Sequence, residues 1–178
     1  MNRWQRYNTL AAVVILAILG GGFAYWHHTN YPYGVSHCCA KQISTALKMY
    51  ALDHGGRYPA GESSPEASLS LLYPKYLSSP EPLRGKTVPA AIVNQRLKNG
   101  QLLTPETCGW HYVEGLSENS DPKLLLIWDK VGLAHNGQRL PDGGHEVVFV
   151  DHSAKQLSGA EWRAALAEQE KLSAAGSK

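Results

Sequence analysis

Hydrophobic positions are spread unevenly along this chain. From Leu10 to Trp26 it reads LAAVVILAILGGGFAYW, without one charged residue. A helix rises about 1.5 Å per residue and a hydrocarbon core of ~30 Å asks for ~20 apolar residues. With Thr9 and the flanking aromatics, this run therefore predicts one membrane anchor over residues 9–27. Trp4, Tyr7, Tyr25 and Trp26 stand at its two ends, where amphipathic rings favour the headgroup zone. Arg3 and Arg6 precede it, which predicts that residues 1–8 stay in the cytoplasm and the rest faces the periplasm. A cleaved secretion signal shares the basic start and the apolar run. Here the run is longer than the usual signal core, and aromatic and histidine residues follow it in place of a small-x-small site.

Beyond the anchor the period changes twice. Residues 28–35 form a linker broken by Pro32 and Gly34, and Ser36 is placed to cap the next helix. Cys39, Ile43, Ala46, Leu47 and Tyr50 then recur at helical spacing until Gly55-Gly56 stops the helix. A short helix is predicted from Glu66 to Tyr73, begun by Pro65 and ended or kinked at Pro74. The stretch from Arg84 to Thr107 reads as a short helix or an irregular excursion. Strands are predicted at WHYVE (110–114), KLLLIWD (123–129) and HEVVFVD (145–151), each after a turn signal. Ser158 and Glu161 have the spacing of a capping box for a terminal helix facing inward through Trp162 and Leu166.

The expected fold class is α+β: an N-terminal transmembrane helix, then one soluble domain over 36–172 and a disordered tail over 173–178. In that domain a helix packs on a small antiparallel sheet of three or four strands. Ile43, Leu47 and Tyr50 hold the helix to the sheet, and Phe149 and Trp162 help close the core.

Charge narrows the partners. Arg3 and Arg6 account for the whole formal excess of +2, so the remainder is balanced. A balanced domain without a basic run lacks the phosphate neutralisation that nucleic acid demands. No small-molecule substrate is indicated, and the lipid bilayer is expected to contact residues 9–27. Cys38, Cys39 and Cys108 would lie in an oxidising compartment, where Cys108 could form a disulfide with either member of the vicinal pair.

Two segments carry a family resemblance. CCAKQISTALKMYALDHGGRYP, from Cys38 to Pro59, resembles the helix and exit of pilin-like proteins related to the type II secretion major pseudopilin, especially those of planctomycetes and verrucomicrobia. Lys41, Gln42, Ala46, Leu47, Tyr50, Asp53, Gly56, Tyr58 and Pro59 follow that order. His135 and then DGGHEVVFVDHSAKQLSGAEW resemble the same family's histidine loop, Gly-Gly turn, apolar strand and terminal helix. Gly143, Gly144, Val147, Phe149, Asp151, Leu157 and Trp162 match, while His152 stands where the family often has glycine. The resemblance implies a pilin-like domain that works by protein contacts or self-association, without a cofactor. The usual leader, glycine followed by Phe-Thr-Leu-Ile-Glu, is missing, since the edge of the apolar run reads Arg6-Tyr7-Asn8-Thr9-Leu10. That departure points to a retained anchor on an accessory or structural protein of the cytoplasmic membrane.

Enzyme motifs are not found. The chain has no Gly-x-Ser-x-Gly elbow and no Cys-x-x-Cys, and its triple glycine, Gly20 to Gly22, lies inside the anchor. A non-enzymatic role follows. The alternative is a periplasmic metal-binding or redox-associated module built on Cys38, Cys39, Cys108 and His111, thiolate and imidazole ligands that would suit zinc or copper. His135, His145, Asp151 and His152 form a second imaginable group. An extended strand would hold His145 and Asp151 roughly 20 Å apart.

Overall fold

The computed structural model describes residues 2–30, 39–134 and 136–176. The expected Ser36 cap, the Pro32 and Gly34 breaks, His37, Cys38 and His135 lie outside these residues. The chain divides into two units. The first is built on helix α1, Arg3–Asn30, which is long and apolar enough to cross a membrane and has no buried residue.

The second unit is α+β. It comprises α2 (Cys39–Asp53), α3 (Pro65–Ser68), a 3-10 turn (Leu69–Leu72), a second 3-10 turn (Glu81–Arg84) and α4 (Ala90–Lys98). Four strands follow, β1 (Trp110–Tyr112), β2 (Leu125–Asp129), β3 (His145–Phe149) and β4 (Ala154–Leu157), then α5 (Gly159–Gly176). The strands pair antiparallel in the order β1-β2-β3-β4.

α2 forms as its period predicts. Ala40, Ile43, Ala46, Leu47 and Ala51 are buried along one stripe, and the helix ends where Gly56 N–H folds back onto the Ala51 carbonyl at 2.8 Å. Gly55 and Gly56 take φ values of 64° and 82°, a region that glycine enters without a side-chain clash. The predicted Glu66–Tyr73 helix is present as one turn of α3 running into a 3-10 turn. Ser64 caps it, accepting the Ala67 N–H at 3.1 Å. The undecided 84–107 stretch contains α4, which buries Val93 and Leu97.

The two faces of the sheet differ. Ile127, Val148 and Val150 face the main core with α2, Leu69 and Leu72, and Trp110 and Tyr112 of β1 join them. On the other face Trp128 contacts Trp162 of α5, with ring centroids 5.6 Å apart. Phe149 and Trp162 are half-buried on this second face, so they do not close the main core as expected. Strand alternation sends Phe149 to the side opposite Val148 and Val150. β4 is the strand left unnamed by the sequence reading. Its AKQL is exposed or half-buried throughout, and its ladder with β3 holds it in place.

The expected disulfide is absent. Neither Cys39 nor Cys108 forms one, and each pairing of the three cysteines needs one of these two. Cys108 is instead sealed in the core at 1% exposure, with its Sγ directed at the Leu83 carbonyl at 3.5 Å. A bridge would need another thiol in that packed site.

Candidate functional site

α2 has two faces. Opposite its buried stripe it presents Lys41, Gln42, Thr45, Lys48, Met49 and Leu52 to solvent. Met49 is 46% exposed and Leu52 is 68% exposed, unusual for large apolar side chains on a helix whose other side is fully packed. Open clefts flank this face. One, of about 560 Å³, runs between Lys41, Gln42 and Thr45 and the segment from Tyr76 to Pro82. The other, of about 350 Å³, lies between Lys41, Lys48 and His152.

Residues at the end of α2 and just past it act as joints around this helix. Tyr50 stacks on His54 at a centroid distance of 3.8 Å. Asp53 accepts from Lys75 Nζ at 2.6 Å and Tyr76 OH at 2.9 Å, and these two bonds, Lys75 first, hold its carboxyl below the usual range. Past the Gly56 turn, Tyr58 OH donates to the Val150 carbonyl at 3.2 Å, and the Pro59 carbonyl accepts from Tyr112 OH at 2.7 Å. The exit of α2 is thus tied to β1 and to the turn that follows β3.

In the turn ahead of β3 Gly143 takes a φ of 73°. Gly144 runs so close to β4 that a Cβ would fall 2.0 Å from the Leu157 carbonyl. Phe149 lies beneath Lys155 Nζ, 5.5 Å from its ring centre. Asp151 accepts the Ser153 N–H at 2.8 Å in the turn that follows it.

The candidate ligands do not converge. Cys108 points into the core, where burial pushes its thiol up to about 12, unfavourable for a metal-binding thiolate. His111, outward on β1, packs against Trp128 at 5.5 Å. Cys39 lies on α2, and Cys38 is outside the described residues. Among the described residues no group of three or more His, Cys, Asp or Glu side chains could hold a metal ion. His145 opens β3, and His152 lies in the turn past its other end. His152 lies 3.4 Å from Ser44 Oγ by its Nδ1 and 3.3 Å from Tyr58 OH by its Nε2.

One polar cluster was missed by sequence reasoning. Lys86, Asp129 and Glu146 come from three separate segments, and each is less than 10% exposed. Lys86 Nζ donates to Glu146 Oε2 at 2.8 Å and to the Leu133 carbonyl, and stands 3.9 Å from Asp129 Oδ2. Asp129 Oδ1 accepts the Glu146 N–H at 3.0 Å and the His145 Nδ1–H at 2.9 Å. Nδ1 is also 2.9 Å from the Asp129 carbonyl oxygen, and facing two acceptors it carries the proton. Asp129 Oδ2 is buried without a hydrogen-bond partner among the described residues.

Burial raises the Asp129 carboxyl pKa, against the opposing pull of Lys86 and then His145. The loop that delivers Lys86 depends on two glycines. Gly85 has a φ of 58°, and Gly109 lies so close that a Cβ on it would fall 2.0 Å from the Arg84 carbonyl. The available signal was Glu146 itself, a charged residue in the inward register of Val148 and Val150.

No family model, curated protein or solved structure matches this chain.

Proposed function

We propose that this chain is a membrane-anchored, pseudopilin-like structural or accessory protein, non-enzymatic, that makes protein contacts on the periplasmic side of the cytoplasmic membrane. The observation that carries the reading is the open face of α2. A helix packed by one face leaves Met49 and Leu52 in solvent on the other, beside two clefts. Burying such side chains against a partner is worth about 25 cal/mol per Å² of apolar surface before the costs of association. An apolar α1 would confine the domain to the membrane plane, where partners, other copies included, meet at raised effective concentration. Arg3 and Arg6 favour a cytoplasmic N-terminus, and the motif order from Cys38 to Pro59 and from Asp142 to Trp162 supplies the link to secretion pseudopilins.

The test is photo-cross-linking in native membranes with the probe at Leu52, compared with a probe at Glu170 on the exposed side of α5. Discrete protein adducts from position 52, absent from position 170 and lost with Met49→Lys, are expected. A chain that stays monomeric and partnerless from both positions refutes the reading.

A further inference from the structure

We infer that Lys86 and Asp129 are joined by an intramolecular isopeptide bond that the fold forms on itself, with Glu146 as the catalytic residue. The three side chains are placed for this reaction. Lys86 Nζ is sequestered from water, with its side chain 2% exposed, and faces an Asp129 carboxyl whose side chain is 1% exposed. An amine becomes a good nucleophile once desolvated and relieved of its proton, and Glu146 Oε2 lies 2.8 Å from that nitrogen.

The two carboxyl oxygens of Asp129 have different surroundings. Oδ1 is met by the Glu146 backbone N–H at 3.0 Å and the His145 Nδ1–H at 2.9 Å, two donors aimed where negative charge would develop. Oδ2 has no hydrogen-bond partner among the described residues and lies on the side of the lysine at 3.9 Å. One oxygen is therefore held as an oxyanion, and the other is left to depart.

The step balances without a co-reactant. Asp129 enters protonated on Oδ2, the state that burial favours. The Lys86 ammonium gives a proton to Glu146. The freed nitrogen pair attacks Cγ of Asp129, and the carbonyl pair moves onto Oδ1. Glu146 passes its proton to Oδ2 as the Cγ–Oδ2 bond breaks, and water leaves. Glu146 then takes the surplus proton from the nitrogen. A neutral amide and a neutral carboxylic acid replace an ammonium and a carboxylate that were both buried, which removes the penalty of keeping charges out of water. The chain acts once, on itself, and is not an enzyme by doing so. The link would join the loop ahead of α4 to the end of β2 in a protein where neither Cys39 nor Cys108 forms a disulfide.

Tryptic mapping of the full-length protein, purified from membranes, tests this directly. Trypsin does not cut after an acylated lysine. The linked chain should therefore release residues 85–96 joined to residues 124–130 as one branched peptide, about 18 Da below the sum of its parts. A succinimide at Asp142-Gly143 loses the same mass but falls in another peptide, so the branched fragment separates the two. Glu146→Gln, which keeps shape and removes the base, should leave no branched peptide, with cleavage after Lys86 restored and the circular dichroism spectrum retained. Quantitative cleavage after Lys86 in the wild-type protein overturns the inference. Persistence of the branched peptide in Glu146→Gln overturns the role given to Glu146.

Discussion

Replacing Gln169 by alanine should loosen α5 from the sheet. Its amide acts as a peptide substitute: Oε1 accepts the Leu125 N–H at 2.7 Å, and Nε2 donates to the Leu125 carbonyl at 3.3 Å. Leu125 needs such a partner because its pair with Phe149 is flanked by the Val150 N–H to Leu124 carbonyl bond, which turns the Leu125 amide away from β3, and β1 pairs with β2 only at Ile127 to Asp129. Leu125 is fully buried, so water does not readily replace the lost bonds. Each hydrogen bond is worth about 0.5–1.5 kcal/mol net, and a stranded buried group costs about 1–3 kcal/mol. Gln169→Ala should therefore destabilise the domain by roughly 2–3 kcal/mol. At roughly 2–4 °C per kcal/mol for a domain of this size, Tm should drop by about 5–10 °C. The assay is denaturant unfolding of the full chain in detergent, followed by tryptophan fluorescence, to which the Trp128–Trp162 pair contributes, with exposed Glu170→Ala as the control. A Gln169→Ala midpoint as close to wild type as that control, within about 0.5 kcal/mol, would refute the reasoning.

Three further outcomes follow from other sites. Gly109→Ala forces a Cβ to 2.0 Å from the Arg84 carbonyl and should cost about 3 kcal/mol or more. Gly100→Ala, with a φ of 71° and open space, should cost only about 1–2 kcal/mol, as thermal melts will show. Cys108, buried and with its thiol pushed up to about 12, should resist iodoacetamide at about pH 8 until denaturant is added; labelling of the native protein at an exposed thiol's rate contradicts this. His152 is held below its ordinary pKa by burial and then by Lys48, against the pull of Glu118 and Asp151, so the unfolded chain binds more protons just below 6.5. Its contribution to stability is present above that pH and lost as pH falls. His152→Asn tolerates the φ of 65° and should flatten the decline in Tm between about pH 7 and 5, measured as the difference from wild type. Asp129 has the opposite sign while its carboxyl is free, because a raised carboxyl loses stability as pH rises, and the difference measurement cancels it.

Short-range physics was legible in the residues. The long apolar helix, the α2 stripe, its Gly55-Gly56 stop and three strand segments all depend on spacing over a few positions. So does the Ser158-Glu161 cap, where Ser158 N–H donates to Glu161 Oε2 at 2.7 Å. β4 escaped notice because AKQL has no apolar alternation and is held by β3 rather than by its own side chains. Long-range choices belonged to the tertiary structure. Oxidising surroundings and cysteine number suggested a bridge, yet packing pointed Cys108 at Leu83 inside the core. Lys86 looks like an ordinary surface charge when read locally, and Glu146, in the inward register of Val148 and Val150, signals a buried charge without naming its partner. Topology buries them together beside Asp129, and that contact has no periodic signature because it joins a loop to the facing ends of two strands.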